Sequence, residues 1–571
     1  MSLDALRYFG ALARTSLGSF ARQAIGDVTL ADLAARWARR RPDALALEAS
    51  GQKLSYRELD AVVVSAGHAL HALGARGGDV VALIAHNSLA YVALLLAGAR
   101  TGITLALVHP ELAGEPLAHA LSVSRATHAL CELSLLEQVK SVTSLPCSGF
   151  EPERREPFTT SSRPLAFAAD RGRRDFALVF TSGTTGMPKA CRLPHSRVLA
   201  AACLFGAPLY DFRETDKLLC ALPLHHGSPL MLGLGACLVM GAPLVLERRF
   251  SARDFLAAAR RSGATAFLYV GDLGRLLLAT PESSLDRAHR LRLAVGNGMS
   301  AEVWPKLQAR FGVAQVREFY AATESPVGIF NWSGRVGSVG NLPYAWMFGL
   351  KLVRVDDEGW LVRDARGRLC ECAADEPGEL LVRARRSGLG VYHGYVDAAA
   401  SEARLVRDAF RAGDAFFRTF DILRRDRAGF YYFVERAGES YRFKGENVSA
   451  TQVERELLRV PGVREALVSS VVVPGYDGRA GSAVLVVSQS FTVEGLLALA
   501  ARLPRSALPR FVRATAELSR TSSLKRKRGA GSVAEWQPAA HREPSWLWDG
   551  SRYRPLDDEA YRGVLSGTLR L

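Results

Sequence analysis

Cysteine is scarce in this chain of 571 residues, with eight in all, and only Cys370 and Cys372 lie close together. That spacing excludes a disulfide scaffold, and without two Cys-x-x-Cys pairs there is no zinc-binding pattern. Free buried thiols in a reducing, cytoplasmic compartment are expected. The first residues show no secretory signal, since no basic stretch precedes an apolar one. Instead Leu3, Leu6, Phe9 and Leu12 share one face of a stretch from Met1 to Ala24. That is the pattern of a packed N-terminal helix or of one lying on the inner face of a membrane. Pro229–Leu246 carries no charge and just reaches spanning length. Pro229, Gly233, Gly235, Gly241 and Pro243 interrupt it, so it reads as a buried helix followed by a buried strand. No solenoid repeat is present.

What remains is an ordinary globular composition, 48% hydrophobic and 23% charged, too long for one domain. The excess of 73 basic over 57 acidic residues gives a net charge of +16. Such a balance suits anionic small ligands, nucleotides and carboxylates, or a membrane surface, and equally a solvated, arginine-rich surface; no nucleic-acid partner is called for. From Leu30 to about Glu132 helical and apolar strand patterns alternate. Ser55 and Glu58 form a capping box for a helix ending at Gly74, and strands are expected at Val80–Ala85 and Ile103–Val108. Ser144–Arg174 reads as a polar surface loop or linker. Alternation resumes from Phe176 to about Leu352, which predicts an α/β fold with doubly wound parallel sheets. Short strands around Leu350–Val355, Leu361–Val362, Glu379–Arg383 and Phe430–Glu435 predict a small β-rich subdomain. After Arg436 a compact α+β unit follows, with a capping box at Ser449 and Gln452, a helix stopping at Pro461, strands at Ala466–Val473 and Ser482–Val487, and a helix around Val493–Arg502.

The sharpest chemical feature is Thr181-Ser-Gly-Thr-Thr-Gly-Met-Pro-Lys189, directly after the apolar run Phe176–Phe180. Gly183 and Gly186 free backbone N–H groups to turn toward an anion, Thr181, Ser182, Thr184 and Thr185 add hydroxyl donors, and Lys189 adds charge. It is a phosphate-holding loop but not a Walker A loop. Gly388-Leu-Gly390-Val-Tyr-His-Gly394 misses the dinucleotide fingerprint by one position.

The loop resembles the phosphate loop of the adenylate-forming enzymes: acyl- and aryl-CoA synthetases, luciferases and adenylation domains. Further segments resemble that superfamily in the same order. These are Phe319-Tyr-Ala-Ala-Thr-Glu324, Phe417-Arg-Thr-Phe-Asp421 and Arg442-Phe-Lys-Gly-Glu-Asn-Val-Ser449. Glu318–Gly340, Tyr441–Thr451 and Pro474–Gly481 resemble the fatty acid transport protein and very-long-chain acyl-CoA synthetase branch. The resemblance implies a two-step ligase: a long or very long chain fatty acid attacks the α-phosphate of MgATP, and the acyl group of the adenylate passes to coenzyme A. An acyl-AMP ligase serving an acyl carrier protein, or a non-catalytic fatty-acid-binding or uptake protein, are alternatives on the same fold. The implied domains are residues 1–438, binding ATP and the acyl group, and a mobile lid, residues 439–571, carrying a catalytic lysine.

The same resemblance implies site residues. Thr181, Ser182, Gly183, Thr184, Thr185, Gly186 and Lys189 would hold the β- and γ-phosphates, with Thr184 also among the catalytic group. Glu324 would hold Mg²⁺, a hard cation that takes carboxylate oxygen. Thr323 would meet the α-phosphate, Tyr320 would stack on adenine, and Gly296, Asn297 and Gly298 would lie along the base. Asp421 would take the ribose hydroxyls, with Arg436 adding a second contact. His226 would stand by the acyl pocket. Lys525 would reach the carboxylate and α-phosphate, and Lys444, Gly445, Glu446 and Asn447 would face the thioester site after the lid rotates. Only nine lysines occur (53, 140, 189, 217, 306, 351, 444, 525, 527), and three of them, 189, 444 and 525, sit where a point charge is wanted.

The departures are equally specific. Phe420 stands where the family has glycine before the ribose aspartate. The apolar run Phe416, Phe417, Phe420 and Ile422 predicts an ordinary extended strand there, with the phenyl ring packed beside the nucleotide. Ala321 and Ser325 replace small glycines, His109-Pro110-Glu111 stands in place of an Asn-containing run, and Gly227-Ser-Pro229 follows His226.

Overall fold

The computed structural model describes residues 10, 11, 13, 28–153, 164–182, 187–213, 215–342, 349–356, 360–387, 390–436, 440–443, 446–474, 479–503, 505–518 and 531–569. They pack as two units. The first comprises the chain to Leu350 with Val382–Arg418 and Gly429–Tyr431; the second comprises Lys351–Leu381, Thr419–Ala428 and Tyr432–Leu571.

The first unit is built on β1 (Leu45–Ala49), β2 (Gln52–Ser55), β3 (Val80–Ile84), β4 (Thr104–Val108), β5 (His128–Glu132), β6 (Cys147–Phe150), β7 (Asp175–Ser182) and β8 (Pro188–Pro194). It continues with β9 (Leu218–Cys220), β10 (Leu244–Leu246), β11 (Ala266–Val270), β12 (Leu293–Asn297), β13 (Gln315–Tyr320) and β14 (Ile329–Asn331). One sheet runs β6-β5-β3-β4-β7-β8 and a larger one β14-β13-β12-β11-β9-β10-β1-β2. Their interiors are parallel, and the edges β8, β2 and β14 are antiparallel. Strands β4, β9 and β10 are buried at every position. That follows from parallel strands covered on both faces, whose runs are continuously apolar.

Local chemistry sets the helix ends. Ser55 caps the helix Tyr56–Ala72, its hydroxyl accepting from Glu58 N–H while the Glu58 carboxylate accepts from Ser55 N–H at 2.8 Å. Pro229–Leu246 is buried, as expected, but its first half is π-helical (Pro229–Gly235) and packs against a second π segment, Ala202–Gly206. A Cβ on Gly206 would sit 2.8 Å from the Ala236 methyl, so the two segments approach at glycine distance. Among the described residues no helix is long and apolar enough to cross a membrane. None of the eight cysteines forms a disulfide.

Four expectations need correction. The stretch Ser144–Arg174 is not wholly a loop: β6 lies within it and extends the sheet beside β5. The segment Val493–Ala501 is a 3₁₀ helix, and the helix begun at Ser449 ends at Leu457, four residues before Pro461. The fourth is Phe420, which is not extended.

Strands β15 (Leu350–Val353), β16 (Pro377–Arg383), β17 (Leu405–Arg407), β18 (Ala415–Arg425) and β19 (Tyr431–Arg436) form the β-rich sheet, in which the chain passes from one unit to the other. The second unit adds the hairpin β20 (Ser440–Phe443) and β21 (Glu446–Ser449). Its main sheet uses β22 (Val463–Val472), β23 (Ala480–Val487), β24 (Phe511–Thr515), β25 (Gly531–Ser532), β26 (Ser545–Trp548) and β27 (Tyr553–Pro555), in the order β25-β22-β23-β24-β26-β27. Phe443, Leu457, Val468, Leu485, Phe511 and Leu547 form its core. A core of its own is what independent folding requires.

Candidate active site

The phosphate-type loop joins β7 to β8. Thr181 lies opposite Lys189 and Ser182 opposite Pro188, so the antiparallel ladder holds the two flanks of the loop at fixed separation. Gly183, Thr184, Thr185 and Gly186 fall outside the described residues, as does the side chain of Ser182. The Lys189 side chain is half-buried.

A short turn after β13 carries Thr323 and Glu324. Glu324 is 7% exposed, and its Oε1 accepts from the Tyr395 hydroxyl at 2.9 Å and the Arg404 guanidinium at 3.0 Å. Burial, and next the Glu324 charge, push the Tyr395 phenol far above its usual range, so it remains a proton donor. Tyr395 pairs with Cys191 of β8, and Val396 N–H donates to Ala190 O at 2.9 Å. The strand that bears Lys189 is thereby tied to the Glu324 carboxylate. The backbone of the turn is held from the other side. Arg197 donates to Thr323 O at 2.6 Å and to Ser325 O. Burial lowers the Arg197 pKa, consistent with a guanidinium serving neutral carbonyls. A Cβ on Gly227 would lie 2.9 Å from Thr323 Oγ1, so glycine lets the His226 loop reach this turn.

The donor set around Glu324 fits a magnesium ion that arrives with a nucleotide. Both described partners sit on Oε1, and Thr323 adds a hydroxyl beside the carboxylate. Mg²⁺ is usually held by one or two carboxylates plus substrate phosphates, not by an all-protein cage. Among the described residues no group of three or more metal-ligating side chains occurs.

Gly296 lies near the end of β12, beside Glu318 of β13. A Cβ at Gly296 would be 2.2 Å from Tyr269 O, and Gly298 has φ of +83°, so both positions need glycine. Tyr320 closes β13 opposite Ile329 and is buried. Glu318 lies on the same face of the strand, two residues earlier.

His226 does not stand alone. Its ring lies 4.4 Å from that of His225, which lies 4.7 Å from that of His109. Burial, followed by the neighbouring His226, His109 and His86, holds His225 well below the usual imidazole range, so it is neutral near pH 7. His86 and Arg248 both bond the buried Glu132 carboxylate. Burial opposes its ionisation, but these bonds outweigh that and bring it down to about 2. Asn87 locks the loops together, donating to Leu222 O and Glu247 O and accepting from Leu224 N–H. These groups follow the carboxyl ends of β3, β4, β5, β9 and β10, where α/β sheets bind ligands.

In the second unit Asp421 is buried, and its N–H donates to Thr419 Oγ1 at 3.1 Å. Phe420 is not extended. Its φ is +58°, the left-handed region, and its N–H donates to the buried Glu379 carboxylate at 3.2 Å. The ring is only half-buried, so packing does not force the residue into an ordinary strand. For a bulky side chain this conformation is a genuine outlier, costing about 1–2 kcal/mol. Thr419 Oγ1 also donates to Leu380 O at 2.7 Å, and this bonding holds the turn a glycine would adopt freely. Arg436 ends β19, and Glu446 and Asn447 open β21, with their side chains outside the described residues. Lys444, Gly445 and Lys525 lie outside them entirely.

Sequence reading passed over Arg197, Tyr395, Arg404 and Glu318. Tyr395 directly follows the rejected glycine-rich stretch, and nothing local marks it. Its bond to Glu324 spans 71 residues of chain.

Comparison with known proteins agrees with this architecture. The AMP-binding enzyme family matches residues 34–396. Long-chain fatty acid transport protein 1 of Homo sapiens is 34% identical over 562 residues, covering 93% of this chain and 86% of that protein. The medium/long-chain-fatty-acid–CoA ligase FadD6 of Mycobacterium tuberculosis is 36% identical over 534 residues, covering 91% and 86%. Among solved structures, ATP-bound MatB from Rhodopseudomonas palustris shares the fold, with a TM-score of 0.74 and 24% identity over 87% of this chain and 97% of that one. A phosphate-type loop tied to a buried carboxylate turn, on a fold and sequence shared with these proteins, places the chain in the AMP-binding enzyme family as an adenylate-forming ligase of the branch that includes the long-chain fatty acid transport proteins.

Proposed function

We propose that the enzyme activates a long or very long chain fatty acid with ATP and passes the acyl group to coenzyme A. The observation that carries this reading is the Tyr395 link, which joins the Lys189 strand to the Glu324 carboxylate. Phosphate binding and cation binding thus become parts of one rigid element. In the first step a carboxylate oxygen of the fatty acid attacks the α-phosphorus, the bond to the β-phosphate breaks, and pyrophosphate leaves. In the second the CoA sulfur attacks the acyl carbon and AMP leaves.

Residues 181–186 and Lys189 hold the β- and γ-phosphates, and Thr323 meets the α-phosphate. Glu324 holds Mg²⁺, which when bound neutralises phosphate charge. Tyr320 and the 296–298 turn receive the base, and Asp421 and Arg436 the ribose. His226 and the neutral His225 border the acyl group. The 439–571 lid supplies Lys525 to the first step and residues 444–447 to the second. The strained backbone at Phe420 supports an intact ribose site, because outliers of this kind persist where the surroundings over-determine them. The basic surface suits an inner membrane face as well as anionic substrates.

Separating the half-reactions tests the reading. Lys525→Ala is expected to lower acyl-adenylate formation by about 10²–10³-fold, while thioester formation from supplied acyl-adenylate and CoA continues. Equal loss of both steps would contradict it. Transfer from acyl-adenylate to a carrier protein but not to CoA would replace the acceptor.

A further inference from the structure

A buried carboxylate crosses behind the 296–299 turn, and the reaction described above gives it no role. Glu318 is 2% exposed. Its Oε1 accepts from the Tyr269 hydroxyl at 2.6 Å and from Met299 N–H at 2.8 Å, and its Oε2 accepts from Gly298 N–H at 3.0 Å. No lysine or arginine among the described residues offsets its charge; Tyr269 is the one titratable group against it. The surrounding backbone leaves no slack. A Cβ on Gly271 would fall 2.2 Å from Gly298 O, and one on Gly296 2.2 Å from Tyr269 O. The end of β11, the turn after β12 and the Glu318 side chain are therefore in direct contact. Glu318 and Tyr320 share a face of β13.

We infer that Glu318 is a positioning residue for nucleotide recognition: its carboxylate, by accepting from two successive amides and from Tyr269, fixes the 296–299 turn against which the adenine lies, so that nucleotide affinity requires Glu318 to be charged. This rests on the assignment of that turn to the base. The chemistry is economical. A carboxylate can accept all three bonds at once, whereas the neutral acid turns one oxygen into a donor that neither amide N–H can accept, leaving only the Tyr269 hydroxyl to take it. Burial, which outweighs the three bonds, raises the Glu318 pKa to about 7. The turn would therefore hold its shape above neutrality and lose it as the pH falls through 7. Tyr269 sharpens the inference. Its phenol is pushed well above its usual range by burial first and then by Glu318, so it stays a donor throughout. Removing that donor deprives the charged carboxylate of a bond and should raise the pH at which Glu318 loses its proton.

The test is AMP binding by calorimetry between pH 5.5 and 8.5 for the wild type, Glu318→Gln and Tyr269→Phe, with inorganic pyrophosphate as a probe that has no base. Ionisation of AMP itself is common to all three proteins and cancels between them. Wild-type affinity should fall by up to about tenfold per pH unit below 7 relative to Glu318→Gln. Glu318→Gln mimics the neutral acid and should bind AMP weakly at every pH, with pyrophosphate affinity unchanged. Tyr269→Phe should keep the wild-type pH response but move its midpoint upward. The same AMP profile in all three proteins, with binding intact, would overturn the role of Glu318 and leave the nucleotide site standing. Loss of AMP and pyrophosphate binding together in a folded Glu318→Gln would make the residue merely structural. Absence of AMP binding in the wild type would overturn the site assignment itself.

Discussion

Two turns carry the carboxylates assigned to the nucleotide, and they are held in opposite ways. The Glu324 turn has its side chain and backbone bonded from outside by Tyr395, Arg404 and Arg197. No residue within it takes an unusual backbone angle among the described residues. The Asp421 turn is stabilised by neighbours on its own sheet, Thr419 and Glu379, and contains Phe420 at φ +58°. One geometry is reached by adding distant partners, the other by tolerating local strain. Mutations should therefore act on the first through lost contacts and on the second through backbone freedom.

The largest effect should come from the first turn. Arg404→Met leaves a carboxylate buried to 7% exposure without its cation and is expected to destabilise the fold by about 3–5 kcal/mol in chemical denaturation. A loss below about 1 kcal/mol would show that the pair is not what holds the turn. Glu324→Gln keeps the shape and removes the charge. Pyrophosphate release should fall by about 10²-fold or more and recover in part at high Mg²⁺. An unchanged Mg²⁺ dependence would make Glu324 a structural partner of Arg404 alone.

The second turn gives a smaller but sign-reversed effect. At an ordinary strand position glycine is less stable than alanine by about 0.5–1 kcal/mol. At Phe420 the order should invert. Phe420→Gly relieves the left-handed strain and should be the more stable of the two by about 1 kcal/mol, with ATP binding preserved. Phe420→Ala keeps the strain and loses the ring. If alanine is the more stable replacement, the residue is extended in solution and the comparison between the two turns fails.

The same contrast explains what could be read from sequence. The parallel sheets were legible because strands such as Val80–Ile84 are apolar without a break and are followed by a helix with a recognisable cap, here Ser88. The Thr181–Lys189 loop and the Thr323-Glu324 pair were legible because their residues are contiguous. Tyr395 and Arg404 were not, because a hydrogen bond across 71 or 80 residues leaves no local pattern. Phe420 was misread because an apolar run signals burial only where the side chains alternate faces. Here Phe417 is fully buried, while Phe420 is half-exposed, its turn set by bonds to Glu379 and Thr419. The strand β6 was hidden for a related reason, since Cys147–Phe150 is too short and polar to stand out until it pairs with β5.

Long-chain fatty acid activation is tested by pyrophosphate release from ATP against a panel of carboxylates of increasing chain length, with and without CoA, with the acyl products identified. Release is expected to depend on a long-chain fatty acid, giving acyl-adenylate when CoA is omitted and acyl-CoA with AMP when it is added. Binding of long-chain fatty acid with no pyrophosphate released from any carboxylate would contradict that activation.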